Sequence, residues 1–400
     1  MRKHRPDLSL ILFVLALMAA SLIIVYAIGP RVAQSQNTLY GKSYSESYFF
    51  VHHAIAIGVS IIAMVAGYLC KYEWLGKFAK QLLIVSFVAC LLVTIFAKLG
   101  VDALVTCDKG ACRAFRIGSF GLMPSELLKI AVLFYMAWLI RDRKERKELD
   151  TKRFIVPFLT IMAAVALVLG VFEKDFGSTF VIAAMCYAMI FASGISMKTF
   201  GKLLLPIVAI LGFLIVTQSY RLERIMDVTG GNEAYHTENS LIGMGTGGFF
   251  GVGLGNSIQA TGWLPEAISD SIFSIICETW GYFGALLVIL AFVAIGLRML
   301  SVSQRTKDLD KRLFVVGVFT WIICHVIINI GGMTGILPMK GITLPFVSQG
   351  GTSMLFVAFA VGIVLQISGW TTRETVKENE DTSSRRGQRR ARYTRSSRRS

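Results

Sequence analysis

Apolar stretches of roughly 17 to 22 residues recur along the chain, separated by polar turns. At about 1.5 Å of rise per helical residue, each can cross a hydrocarbon core of about 30 Å. Ten spans are predicted, at residues 8–28, 49–69, 79–99, 123–140, 154–172, 177–194, 203–219, 271–296, 313–330 and 352–369. The runs are continuously apolar and do not alternate over about ten residues, which excludes an outer-membrane barrel. The predicted fold class is an all-α polytopic membrane protein. Three segments interrupt the rhythm: 100–122, 220–270 and the stretch GGMTGILPMKGITLPFVSQGG before the last span. Each mixes Gly or Pro with aromatic and ionisable residues, the composition of ordered functional loops rather than of linkers.

Composition narrows the class. Only 16% of the 400 residues are charged and 54% are hydrophobic. Soluble domains carry about 25% charged residues, so a soluble enzyme, a disordered chain and a collagen-like fibre are excluded. With the N-terminus inside, 30 of the 41 Lys and Arg residues fall on the inner side. The opposite orientation would violate the positive-inside rule at every short loop. Both termini are therefore expected in the cytoplasm, and the three long segments outside. Arg2, Lys3 and Arg5 precede the first apolar run, but IGPRVAQSQ after it is no small-x-small cleavage site. The run is expected to stay as a span.

Residues 1–370 are expected to form the membrane domain, with 220–270 as its large extracellular loop. The last sixteen residues hold eight Arg and no acid within a polar segment 371–400. That segment reads as a disordered basic tail drawn to the anionic inner leaflet, with no nucleic acid required. Of seven cysteines, Cys70, Cys90, Cys186, Cys277 and Cys324 sit in or beside spans as core residues. Cys107 and Cys112 share one outer loop, where either a disulfide or two free thiols fit.

Four segments carry candidate chemistry. In LPEAISDSIFSIICETWGYFG, Pro265 is placed to start a helix. Glu266 and Asp270, four residues apart, would then share one of its faces. Asp270 lies at the outer end of the eighth span, where a half-buried carboxylate suits a general base; acids also simply cap helix N-termini. Glu278 lies two turns deeper, and an acid within a span is a functional candidate unless a cation pairs it. RAFRIGSFGLMPSELLK places Arg113 and Arg116 outside, with Glu126 and Lys129 spaced to pair at the start of the fourth span. Arg suits phosphate through its bidentate fork, or merely anchors the interface. EKDFGST puts Asp175 in a tight turn that Gly177 would permit. In KGITLPFVSQGGTS, Lys340 is the one basic residue of its loop, Ser348 is a polar neighbour, and Gly350 and Gly351 could expose amides to an anion. GMGTGGFFGVGLG, residues 243–255, follows no strand and lacks a P-loop Lys, so nucleotide binding is rejected.

These segments, in this order and on one side, resemble the SEDS family, the FtsW, RodA and SpoVE group of peptidoglycan polymerases. The likeness covers most of residues 8–370 and is nearer to the division members than to the elongation members. The chain departs from the family pattern at Ala114, Lys174, Ala260, Ile268, Ser269 and Gln349. The resemblance implies ten spans and an inverting glycosyltransferase in the bacterial plasma membrane, at the division septum. It would join lipid II into β-1,4 glycan strands on the outer face and release undecaprenyl pyrophosphate. The resemblance places the essential aspartate at Asp270, as general base on the acceptor hydroxyl. Arg113 and Lys340 would meet the pyrophosphate, with Glu266, Asp175, Ser348, Gly350 and Gly351 as further substrate contacts. Glu126, Lys129 and Glu278 would act in support. It further implies a divalent cation, Mg²⁺ or Mn²⁺, with Asp270 and Glu266 as candidate ligands. The expected partners are a class B penicillin-binding protein transpeptidase and other division proteins. A lipid II flippase and an elongation polymerase are the alternatives. Few ions fall mid-span, which favours the enzyme over the flippase.

Overall fold

The computed structural model describes residues 6–370 apart from 102, 109–110, 119, 217–231 and 338–340. Lys340 and the tail 371–400 therefore lie outside the described residues. The chain runs α1 (Leu8–Tyr40), α2 (Tyr48–Leu69), α3 (Tyr72–Lys77) and α4 (Ala79–Lys98). Strands β1 (Val105–Asp108), β2 (Ala111–Ile117) and β3 (Phe120–Leu122) follow. Then come α5 (Pro124–Glu145), α6 (Lys152–Val165), α7 (Phe176–Ser193) and α8 (Met197–Val216). The last elements are α9 (Asn232–Thr246), α10 (Ile272–Arg305), α11 (Leu309–Met333) and α12 (Gly351–Ser368). Helix α6 continues through a π-helical turn, Ala166–Phe172.

Among the described residues, eight helices are long and apolar enough to cross a membrane: α1, α2, α4, α6 with its π turn, α7, α10, α11 and α12. Helices α5 and α8 lie where the fourth and seventh spans were predicted. Glu126, Lys129 and Arg141 make α5 more polar than these eight, yet it is deeply buried. Every residue from Leu128 to Phe134 is buried, so all its faces meet protein. It packs on α4, α7 and α11.

Three loop expectations need correction. The outer segment 100–122 holds a three-stranded antiparallel sheet in the order β1-β2-β3, so the fold is mostly but not wholly helical. Cys107 and Cys112 face each other across β1 and β2 and are joined as a disulfide, which settles the choice left open by sequence. The segment 220–270 contains α9, a helix whose small residues hide its period. Finally, the helix expected from Pro265 starts only at Ile272. Glu266 has φ +52°, a left-handed conformation that no helical residue adopts, so Glu266 and Asp270 share a turn and not a helix face.

Helices α2 and α12 form the most extensive pair. Gly67 faces the Phe359 carbonyl and Gly362 faces that of Met64, each too close for a methyl group. Lipid-embedded helices lack a hydrophobic drive toward one another and gain from such close backbone approach. Gly362→Val should force the pair apart and cost about 1–3 kcal/mol, read as a lower melting temperature in detergent. An unchanged melting temperature would show that the contact carries no stability.

Candidate functional site

Two irregular segments meet at the helix ends expected to face outward. The first is the turn 265–271 before α10, which holds Asp270. Its backbone closes on itself, with the Ser269 and Ser271 amides both donating to the Glu266 carbonyl at 3.0 and 3.1 Å. The second, 341–350, runs into α12. The Gln349 amide donates to the Ile268 carbonyl at 2.9 Å, and the Ser348 hydroxyl donates to the Ser269 carbonyl at 2.6 Å. Asn329 on α11 completes the junction, its amide nitrogen donating to the carbonyls of Asp270 and Ile342, each at 2.7 Å. Asp270 is half-buried, and a β-carbon at Gly341 would lie 3.7 Å from its Oδ2. The carboxylate thus faces the second segment, on a backbone held from two sides.

The turn between α6 and α7 closes against the same segment. Asp175 caps α7, accepting from the Ser178 amide at 3.0 Å. The side chain of Ile342 sits over Gly177, where a β-carbon would come within 2.8 Å of its Cδ1. Gly177 is therefore a contact point for the loop rather than the enabler of the turn, a conformation taken instead by Lys174 at φ +55°. Arg113, on β2, reaches across from the sheet. Its Nε donates to the Glu173 carbonyl at 3.2 Å and its Nη2 to the Lys174 carbonyl at 2.7 Å. The disulfide-closed hairpin thus holds an arginine that clamps the acidic turn.

Beneath this layer lies a buried polar core. Lys129 pairs with Glu126 at 2.8 Å, both nearly devoid of exposure. Its ammonium lies 3.4 Å from His325 Nε2 and 5.4 Å from the centre of the Trp321 ring. The Trp321 indole donates to the same Nε2 at 3.1 Å. Both groups are donors only, so Nε2 must accept. The proton then belongs on Nδ1, which lies 3.2 Å from the Thr343 carbonyl. His325 is accordingly neutral and ties the loop to α11.

Two neighbouring acids diverge in charge. Burial would raise Asp175, but Arg113, Lys129 and the hydrogen bonds from Ser178 outweigh it and hold its carboxyl below the ordinary range. Burial and the adjacent Asp175 push Glu173 up to about 8, against weaker pulls from the Cys90 thiol and Arg113. Glu173 is 1% exposed, and neither carboxylate oxygen has a hydrogen-bond partner of good geometry. The pair is therefore one neutral acid beside one carboxylate.

The remaining sequence candidates have other duties. Glu266 is exposed and accepts from the Ser269 hydroxyl at 3.0 Å. Glu278 is buried and accepts from the Ile258 and Gln259 amides at 2.8 and 3.2 Å, and from the Ser257 hydroxyl. Those bonds, and not a cation, satisfy it, and it fixes the loop 257–259 rather than lining the site. Ser348 is 1% exposed and also accepts from the Leu344 amide at 2.7 Å, so its hydroxyl serves the loop. The Gly350 amide donates to the Ser348 carbonyl at 2.8 Å, which removes it as a free anion donor. Gly351 opens α12, where first-turn amides have no intrahelical acceptor. Sequence reasoning passed over Glu173, Trp321, His325 and Asn329. The last three recur every fourth residue on an otherwise apolar span, a polar stripe that could have found them.

Two outcomes follow for stability. Asn329→Ala removes the shared donor to the Asp270 and Ile342 carbonyls and should cost about 1–3 kcal/mol, with a lowered melting temperature as the readout. For Glu173, the native state keeps a proton that the unfolded chain loses above its ordinary value of 4.5. Its contribution is complete below that value, declines as pH rises and is gone above about 8. Asp175 acts with the opposite sign, only in the acid range. Glu173→Gln keeps a neutral side chain without the titration. Melting curves should show wild type losing stability relative to this variant as pH rises from 4.5 to about 8. Parallel curves would mean that Glu173 is ionised in the native state.

Comparison with known proteins places this architecture. Residues 7–373 match the cell cycle protein family FTSW_RODA_SPOVE. The chain is 30% identical over 371 residues to a probable peptidoglycan glycosyltransferase FtsW of Coxiella burnetii, covering 90% of this chain and 96% of that one. It is 31% identical over 378 residues to the stage V sporulation protein E of Bacillus subtilis, covering 92% and 99%. Among solved structures it superposes on the rod shape determining protein RodA of Thermus thermophilus with a TM-score of 0.66 at 20% identity, covering 92% and 98%. A chain of a peptidoglycan synthase complex coordinating polymerization and crosslinking gives a TM-score of 0.67 at 19% identity, covering 91% and 97%. The polar junction described above thus sits in a multi-pass membrane protein that belongs to the FtsW, RodA and SpoVE family.

Proposed function

We propose that the chain is a peptidoglycan glycosyltransferase that polymerises lipid II on the outer face of the bacterial plasma membrane, in septal wall synthesis. The observation that carries this reading is the half-buried Asp270 carboxylate on a turn pinned by Asn329 and the loop 341–350. The names of the relatives support the same activity. In the proposed reaction Asp270 takes the proton from the acceptor sugar hydroxyl as that oxygen attacks the donor's anomeric carbon. The bond to the pyrophosphate breaks on the opposite side, so an α-linked donor gives a β-linked product, and the electron pair leaves with undecaprenyl pyrophosphate. Positive charge near the departing group stabilises this step, and Arg113 and Lys340 are the cations proposed for it.

The expected Mg²⁺ or Mn²⁺ finds no ready protein cage. Among the described residues no three His, Cys, Asp or Glu side chains gather as ligands. Mg²⁺ is commonly held by one or two carboxylates together with substrate phosphates, and Asp270 and Glu266 are the carboxylates proposed for that arrangement. When bound, the ion would neutralise the leaving pyrophosphate. A class B penicillin-binding protein is the proposed partner, supported by the likeness to a chain of a peptidoglycan synthase complex.

The test is polymerisation of lipid II by purified protein with Mg²⁺ or Mn²⁺ and the transpeptidase. Wild type should give long glycan strands, and Asp270→Asn should slow the reaction by about 10²- to 10⁴-fold while melting normally. Full activity in the variant would remove Asp270 as the base. Translocation of labelled lipid II across vesicles without any strand growth would replace the enzyme by a flippase.

A further inference from the structure

The glycine-rich segment 243–255 has a structural use. Helix α10 is broken at Gly281, where φ is +69°. In an unbroken helix the Tyr282 and Phe283 amides would donate to the Glu278 and Thr279 carbonyls. Here segment 248–253 inserts between them. The Val252 and Gly253 amides donate to the Glu278 and Thr279 carbonyls at 2.9 and 3.2 Å, and the Tyr282 and Phe283 amides donate to the Gly248 and Phe249 carbonyls at 2.9 and 3.2 Å. Four bonds replace two. The splice needs backbone against backbone, and a methyl at Gly247, Gly251 or Gly281 would strike a main-chain atom of the other strand.

Helix rulers fix the height of this splice. On the inner side Arg298 donates to the Asp7 carboxylate at 2.6 Å, and the Asp7 amide donates to Ser368 at 3.0 Å. The start of α1, the end of α12 and Arg298 therefore share one level. Along α1, about 36 Å of helix separates Asp7 from Arg31, whose guanidinium donates to the Ser257 carbonyl at 3.0 Å. Along the regular part of α10, about 26 Å separates Arg298 from Gly281, and Glu278, just beyond the break, holds the Ser257 hydroxyl. Both rulers put Ser257 at the outer edge of a hydrocarbon core of about 30 Å. Gly281 and Phe283 lie lower, about 26 and 22 Å above Arg298. The tip bonded to them lies at that depth, with Phe249 77% and Phe250 86% exposed.

We infer that segment 247–253 dips into the outer leaflet and presents Phe249 and Phe250 to its acyl chains. Irregular backbone survives at such depth only when every polar group is paired within the protein, and the splice supplies that pairing. Two neighbouring phenylalanines at this exposure would be costly in water and suit lipid. The inference stands apart from the catalytic proposal, because no residue of the tip is assigned to chemistry.

The test is nitroxide labelling of the full chain, as Phe249→Cys, Phe250→Cys and, as an aqueous control at the top of α1, Tyr40→Cys. Wild type labelled in parallel supplies the background from its own thiols. In vesicles of phosphatidylethanolamine and phosphatidylglycerol, collision with oxygen reports lipid and collision with a nickel chelate reports water. The oxygen-to-nickel ratio at 249 and 250 should exceed that at 40 by at least about fivefold, since water is absent from the hydrocarbon region. A ratio at 249 and 250 equal to that at 40 would make the tip an aqueous loop. Shielding of both labels from both quenchers would mean that protein covers them. Either result overturns the inference.

Discussion

Away from water, every main-chain amide and carbonyl must find a partner inside the protein, and this requirement organises the irregular segments described around the site. Where one helix is interrupted, a second interrupted segment lies alongside and supplies the missing bonds. The turn before α10 is matched by the loop before α12, through Gln349 to Ile268 and Ser348 to Ser269. The break at Gly281 is matched by the glycine-rich tip. Asn329 does with a side chain what the other junctions do with backbone, binding carbonyls from both interrupted segments. The candidate carboxylate is therefore borne by irregular chain that is nevertheless fixed.

Charge follows the same economy. Lys129 is fully enclosed, a position that an unpaired ammonium could not occupy. Glu126 neutralises it, the Trp321 ring offers its negative face, and the ionised Asp175 lies within electrostatic reach. Adding a second charge at Glu173 would overload the turn, and burial keeps that acid protonated. The result is a graded arrangement, with a paired buried cation below, a single carboxylate capping α7 above it, and Arg113 fastening the turn from the sheet.

The small sheet explains how an arginine from a loop can hold a fixed place. Pairing of β2 with β1 and β3, the Cys107–Cys112 bond and the contact of Thr352 on α12 with the Gly121 carbonyl tie the loop to itself and to the bundle. Of the features built around the site, the sheet was the least visible in the chain. Its strands are three to seven residues long, too short for alternation to stand out beside spans three times their length.

Much of the rest was legible. The spans could be read because lipid imposes one length and one polarity on every crossing helix. The Glu126–Lys129 pairing followed from their spacing, and a turn at Asp175 from its place between two spans. The acid at Asp270 was marked by its place at the end of a span. Its setting was not, because Pro265 offered a helix start that the chain declines: Glu266 turns left-handed so that 268 and 269 can meet the loop 348–349. Sequence alone determined that long apolar segments dominate the chain and which ionisable residues lie at their ends, since these depend on local composition against a fixed thickness. Only the tertiary structure decided that Ser348 and Gly350 are spent on the loop, that Glu278 serves the neighbouring turn, that Asn329 joins two segments and that glycines at 247, 251 and 281 belong to one splice. Those outcomes depend on which distant backbone group comes within about 3 Å, and no periodicity along the chain records that.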